Sequence, residues 1–201
     1  MRIRLFLILF FCSSGVFAQQ YTIDANKSTV RWYGYYLFSF GEHYGTIAVK
    51  DGTASIMNGT LASGNVKLDM ASITPLDMPA DDGGNMLGEH LKSADFFDVA
   101  KFPEAQFEII SVKPIKDASP DGPNVEVTGY LTLKGSKNAL TFPATVNSNE
   151  QLVIKAKFKF DRTKWNVRYN SGKYFSEAGD SAISDAIGIE MNITATKTST
   201  K

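Results

Sequence analysis

The chain has 201 residues, of which 43% are hydrophobic and 21% charged, and its 21 Lys and Arg balance 21 Asp and Glu. That length suits one domain. The even charge lacks the surplus of cations that a general nucleic-acid binder uses on phosphates, and a single cysteine excludes an internal disulfide framework and an all-cysteine metal site.

The chain begins with the basic Met1-Arg2-Ile3-Arg4, continues through an apolar run from Leu5 to Phe11, and reaches Val16-Phe17-Ala18. This is the anatomy of a secretory leader, predicted to span 1–18 and to leave one domain over 19–201. The run is too short for a transmembrane helix. Cys12 follows Phe11, where a lipoprotein leader wants a small residue. Loss of Arg2 and Arg4 would tip the balanced charge toward acid, and loss of Cys12 would leave a cysteine-free protein compatible with an oxidising compartment. The expected address is secreted, and periplasmic in a Gram-negative source.

Period-two patterning dominates the rest of the chain. Strands are predicted at 29–36, 43–50, 55–57, 59–70 and 105–114, with Asp51-Gly52 and Asn58-Gly59 as turns. The stretch 75–84 reads as a loop leading into a short helix over 85–91, with Phe96 and Phe97 just beyond it. Val125, Val127, Gly129, Leu131 and Leu133 share one strand face; Leu140, Phe142, Ala144 and Val146 share the next, across a turn at 134–138. Leu152, Ile154, Ala156, Phe158 and Phe160 alternate with Lys155, Lys157 and Lys159, and Ile187, Ile189, Met191 and Ile193 form a last apolar face. Many short strands and one brief helix predict an all-β domain. A sandwich and a barrel both satisfy the pattern.

Catalytic chemistry is hard to assemble from these residues, and no enzyme is predicted. The two histidines, His43 and His90, lack metal-ligand spacing, and no Gly-rich phosphate loop or nucleophile elbow is present. His43 has the parity of Ile47 and Val49, which makes it either a hydrogen-bonded structural residue or a polar contact for a ligand head group. Arg162 continues the parity of Phe160, and Asp185 that of Ile187. A buried charge needs a partner, so an Arg162–Asp185 pair of architectural role is predicted. Aromatic residues crowd three regions: Trp32, Tyr36 and Phe38; Phe96, Phe97 and Phe107; Phe142, Phe158, Phe160 and Trp165. They either fill a core or line a wide apolar tunnel.

Several ordered motifs resemble the YceI-like family of secreted lipid-binding proteins. They are Tyr21-Thr22-Ile23-Asp24, Trp32, His43-Tyr44-Gly45-Thr46, His90 through Asp98 with Lys101-Phe102-Pro103, Gly129 through Gly135, Phe142-Pro143, Arg162 through Val167, and Asp185-Ala186-Ile187. The similarity covers about 21–196. It implies an extended eight-stranded antiparallel β-barrel, lipocalin-like, with a short helical segment partly capping one end and a central apolar tunnel. Two positions depart from the family pattern: Trp165-Asn166 stands where an aromatic–glycine pair is usual, and Asn138 where a hydroxyl residue follows Lys137.

The resemblance implies non-catalytic binding or transport of a polyisoprenoid or similar amphiphilic lipid, with no cofactor beyond an isoprenoid or quinone-like guest. Trp32, Tyr36, Phe38, His43, Phe96, Phe97, Phe107, Phe142, Phe158, Phe160 and Trp165 are the expected ligand-binding residues. The alternatives are a carrier for a fatty-acid derivative or quinone, a lipid-modifying enzyme using His43, and an envelope stress or structural protein with a filled core. The expected partner is the lipid, with transient contact to a membrane or lipid-donor protein and no nucleic acid; a homodimer is left open.

Overall fold

The computed structural model describes residues 18–38, 41–174 and 182–198. The leader expectation, Cys12 included, therefore lies outside the described residues except for Ala18. Nine strands run in chain order: β1 Gln19–Ile23, β2 Thr29–Tyr36, β3 Glu42–Met57, β4 Thr60–Pro75, β5 Glu104–Pro114, β6 Val125–Leu133, β7 Ser136–Asn147, β8 Leu152–Asp161 and β9 Ile183–Lys197. One α-helix, α1 Asn85–Lys92, lies between β4 and β5.

Every neighbour in the sequence from β2 to β9 pairs antiparallel, and β2 then pairs with β9 through Val30↔Met191 and Trp32↔Ile189. The sheet closes on itself, which leaves no long edge to template aggregation. Nine strands make eight staves because β1 and β2 share one. Each lies antiparallel between β3 and β9, β1 through Thr22↔Thr53 and Thr22↔Thr196, β2 through Val30↔Ile47. Between them a 3-10 turn at Ala25–Lys27 is capped by Asp24, whose carboxylate accepts from the backbone N–H groups of Asn26 and Lys27. The barrel implied by the family resemblance is the one observed, and the sandwich is excluded. β1 is a strand that the patterning does not predict.

The turn expected at Asp51-Gly52 is absent. The predicted strands 43–50 and 55–57 are one long β3, whose pairing with β4 slips between Val49 and Asp51. A bulge of this kind bends a strand without ending it. Gly52 serves close approach: a Cβ there would stand 2.4 Å from Asn65 O and 2.5 Å from Ile23 Cδ1. Asn58-Gly59 is a genuine two-residue turn, both residues left-handed with φ of 52° and 77°. The β6–β7 turn is tighter than expected, needing only Lys134 and Gly135.

Alternation decides what fills the barrel. On β8, Leu152, Ile154 and Ala156 are buried while Lys155, Lys157 and Lys159 are exposed; fully burying a Leu or Ile contributes about 1.5–3 kcal/mol. Two apolar clusters result. One, at the end remote from the helix, contains Tyr21, Leu61, Ala144, Leu152 and Ala195. The other, at the helix end, gathers Trp32, Ile73, Leu91, Phe96, Phe97 and Trp165. Ser93 caps α1 by donating its backbone N–H to Glu89 and His90 carbonyls, and the chain then turns so that Phe96 and Phe97 drop into the barrel.

Candidate functional site

Between the two clusters lies a cavity of about 180 Å³. Every strand from β1 to β9 contributes to its wall, as does Leu91 of α1. Among the described residues no charged side chain lines it. Its polar lining residues are Thr53 and Asn65, whose side chains meet at the exposed surface, with Asn65 Nδ2 donating to Thr53 Oγ1 at 2.9 Å. The period-two faces explain this wall: Ile187, Ile189, Met191 and Ile193 of β9 all lie on it.

Trp32, Phe96, Phe97, Phe107, Phe142, Phe158 and Phe160 are on the wall. Four of these continue into a ladder of rings. Phe107 meets Phe142 at 5.3 Å between centroids, Phe142 stacks on Phe158 at 4.2 Å and 8°, and Phe158 approaches Phe160 at 6.5 Å. Trp165 ends the ladder edge-on to Phe160, but it stands behind the wall, 1% exposed, with Nε1 donating to Leu131 O at 2.8 Å. Phe38 does not face the cavity; it is 68% exposed.

Tyr36 and His43 also lie off the wall, in a polar chain at the helix end. The Tyr36 hydroxyl is 2.9 Å from His43 Nε2, His43 Nδ1 is 2.6 Å from Asp77 Oδ2, and the Tyr44 backbone N–H donates to Asp77 Oδ1 at 3.1 Å. Burial pushes the Asp77 carboxyl up, yet the hydrogen bonds from His43 and Tyr44 outweigh it and hold the group below the usual carboxylate range. An ionised Asp77 accepts from Nδ1–H, which fixes the ring so that Nε2 faces the Tyr36 hydroxyl. Asp77 was missed because a lone aspartate after a strand carries no pattern; only the fold brings it back to His43.

The predicted Arg162–Asp185 ion pair does not form. Arg162 opens a 3-10 turn, Arg162–Trp165, instead of continuing β8. Fully buried, it donates Nε to Ser184 O at 3.0 Å, Nη1 to Val167 O at 2.9 Å and Nη2 to Ile183 O at 3.1 Å. Burial pulls the guanidinium below its ordinary value against the opposing fields of Asp185 and Asp161. Asp185 accepts from the Ser171 hydroxyl and lies 3.8 Å from Lys173 Nζ. Carbonyls had no signature in the sequence, and they satisfy the rigid fork of donors better than one carboxylate.

The two departures from the family pattern meet in space. Asn166 takes the left-handed position that ends the 162–165 turn, with φ of 58°, and donates Nδ2 to Ser136 Oγ at 2.9 Å. Asn138 donates Nδ2 to Lys164 O at 2.8 Å. Asparagine tolerates the left-handed region better than most residues, so the backbone path of a glycine is kept and two ties to β7 are added.

A closed eight-stave barrel with an uncharged, aromatic-lined interior defines a class: closed antiparallel barrels with an apolar internal cavity. The chain belongs to the YceI-like family, whose domain model matches residues 21–195. Among its relatives, Protein YceI of Salmonella newport (strain SL254) is 32% identical over 138 residues, covering 68% of this chain and 66% of that protein. Protein YceI of Escherichia coli O6:H1 is 35% identical over 101 residues, 50% of this chain and 47% of that protein. The matched stretches thus span less than two thirds of these relatives' own lengths. Burkholderia cenocepacia BcnA has a similar fold, with a TM-score of 0.64, 23% identity, and coverage of 87% of this chain and 99% of that one. So does a polyisoprenoid binding domain from Saccharophagus degradans implicated in plant cell wall breakdown, at a TM-score of 0.61, 12% identity, and coverage of 89% and 98%.

Proposed function

We propose that the protein binds and carries an amphiphilic lipid of the polyisoprenoid kind inside its barrel, without catalysis, after export by its N-terminal leader to the periplasm or cell exterior. The observation that carries this reading is the uncharged cavity wall. Each CH₂ withdrawn from water there contributes about 0.8 kcal/mol, and a chain without charge meets no unpaired ion. Family membership and the ligand named for the Saccharophagus degradans domain support the same reading.

Size sets a condition. The cavity is about 180 Å³, close to the engineered apolar cavities of about 150 Å³ that hold benzene. A long prenyl chain therefore enters by moving side chains that already face open space, such as Phe158, Phe160 and Leu140, and by joining the narrow crevices into one channel. Native mass spectrometry of the purified protein, followed by extraction and identification of bound lipid, tests the proposal. A lipid adduct is expected; a protein that is empty and takes up no prenyl chain overturns it.

A further inference from the structure

Trp32 occupies the middle of β2, opposite Gly45 on β3 and Ile189 on β9. Its indole fills the space left by the missing side chain of Gly45, where a Cβ would stand 2.7 Å from Trp32 Cζ2. The residue is 8% exposed and on the cavity wall, yet its Nε1–H is buried with no protein acceptor. Trp165, the other tryptophan, spends the same group on Leu131 O.

A buried N–H left unpaired is destabilising by about 1–3 kcal/mol, so its retention calls for a reason. The other buried unpaired nitrogen at this end, His90 Nε2, belongs to a ring that meets Tyr169 edge-on at 4.5 Å. Trp32 has no ring contact of that kind among the described residues. Thr53 and Asn65, the polar residues of the wall, bond to each other at the exposed surface and not to the indole. Gly34, also on the wall, lies beside the six-membered edge of the indole, where a Cβ would stand 4.0 Å from Trp32 Cζ3.

We propose that Trp32 Nε1–H is an internal hydrogen-bond donor to the ligand, so that the barrel selects neutral lipids carrying an oxygen acceptor, such as a carbonyl, ester or ether, over bare hydrocarbons. This role rests on the carrier reading and names its ligand class. The same wall rejects an ionised head group, because no counter-charge lines the cavity and an unpaired buried ion is far more costly than an unpaired amide. Phosphorylated lipids are thereby left with their heads outside.

The test uses three probes of one chain length: a prenyl methyl ketone, the corresponding prenyl hydrocarbon and the prenyl phosphate. Affinities are measured by competition with an apolar fluorophore. The wild-type protein binds the ketone about tenfold more tightly than the hydrocarbon. In Trp32→Phe that ratio falls to about one, whatever the variant's absolute affinities. In ¹⁵N spectra of the wild-type protein, whose two tryptophans give two indole signals, the ketone moves the Trp32 signal downfield, and the hydrocarbon and phosphate do not. This second readout stands even where the variant folds poorly. Equal binding of ketone and hydrocarbon, or an unmoved Trp32 indole with ketone bound, overturns the inference and leaves the carrier reading intact. Failure of every probe to bind overturns both.

Discussion

The two ends of the barrel are closed by different chemistry. At the end remote from the helix, Tyr21, Leu61, Leu152 and Ala195 are almost wholly buried against one another, and the β3–β4 turn needs two residues. At the helix end, the apolar cluster around Leu91, Phe96, Phe97 and Trp165 is supplemented by side-chain hydrogen bonds: Arg162 to three carbonyls, and Tyr36 to His43 to Asp77. Apolar packing is nondirectional, whereas a hydrogen bond depends on both distance and angle. The helix end accordingly depends on bonds that a single substitution can remove.

Substitutions at the two ends should separate these behaviours. Arg162→Met leaves three buried carbonyls without their donor and is expected to cost about 4 kcal/mol. Its signature in hydrogen exchange is loss of protection around 162–171 and at the start of β9, with the remote end unchanged. Leu152→Ala creates a cavity in the packed end and is expected to cost about 3 kcal/mol by chemical denaturation, spread evenly over all protected amides. If both variants loosen the whole barrel equally, the two ends are one cooperative unit and the contrast between them is lost.

Asp77→Asn acts on the polar end alone and is expected to cost about 1 kcal/mol at pH 7. The Asp77 carboxyl is held below its unfolded value of about 3.9. Its contribution is therefore complete above that value and is lost as pH falls through the lower folded one. The wild-type and Asp77→Asn stabilities should converge in acid, as followed by denaturation at pH 7 and pH 3; a gap that persists in acid would mean that Asp77 acts through shape and not charge. The smallest effect belongs to Asn166→Gly. Relief of the left-handed backbone offsets the lost bond to Ser136, and thermal melting should show a change within about 0.5 kcal/mol.

Legibility in the sequence followed the range of the interaction. The faces of β8 and β9, the short helix and the Asn58-Gly59 turn are written in local spacing, and the aromatic wall from Phe107 to Phe160 follows from the same alternation. Asp51-Gly52 misled because a glycine needed for close approach has the same spelling as one needed for a turn. The Arg162 clamp was half legible: parity showed that the residue turns inward, but its carbonyl partners, Val167 just beyond the turn and Ile183 and Ser184 on β9, have no letter in the sequence. Asp77 and the unpaired Trp32 N–H were invisible, since each matters only through what the closed barrel places beside it.

The shared stave has a consequence in time. Tyr21 pairs with both Ala54 of β3 and Lys197 of β9, so a residue near the start of the barrel is fixed partly by the strand made last. Until β9 emerges, β8 has one unpaired edge and the β1–β2 stave another, and neither cluster of the interior is sealed. Contacts so distant in sequence are slow to form, because the whole intervening chain must be ordered before they are rewarded. The last strand acts as a keystone: the barrel, and with it the cavity, is closed only when β9 is in place.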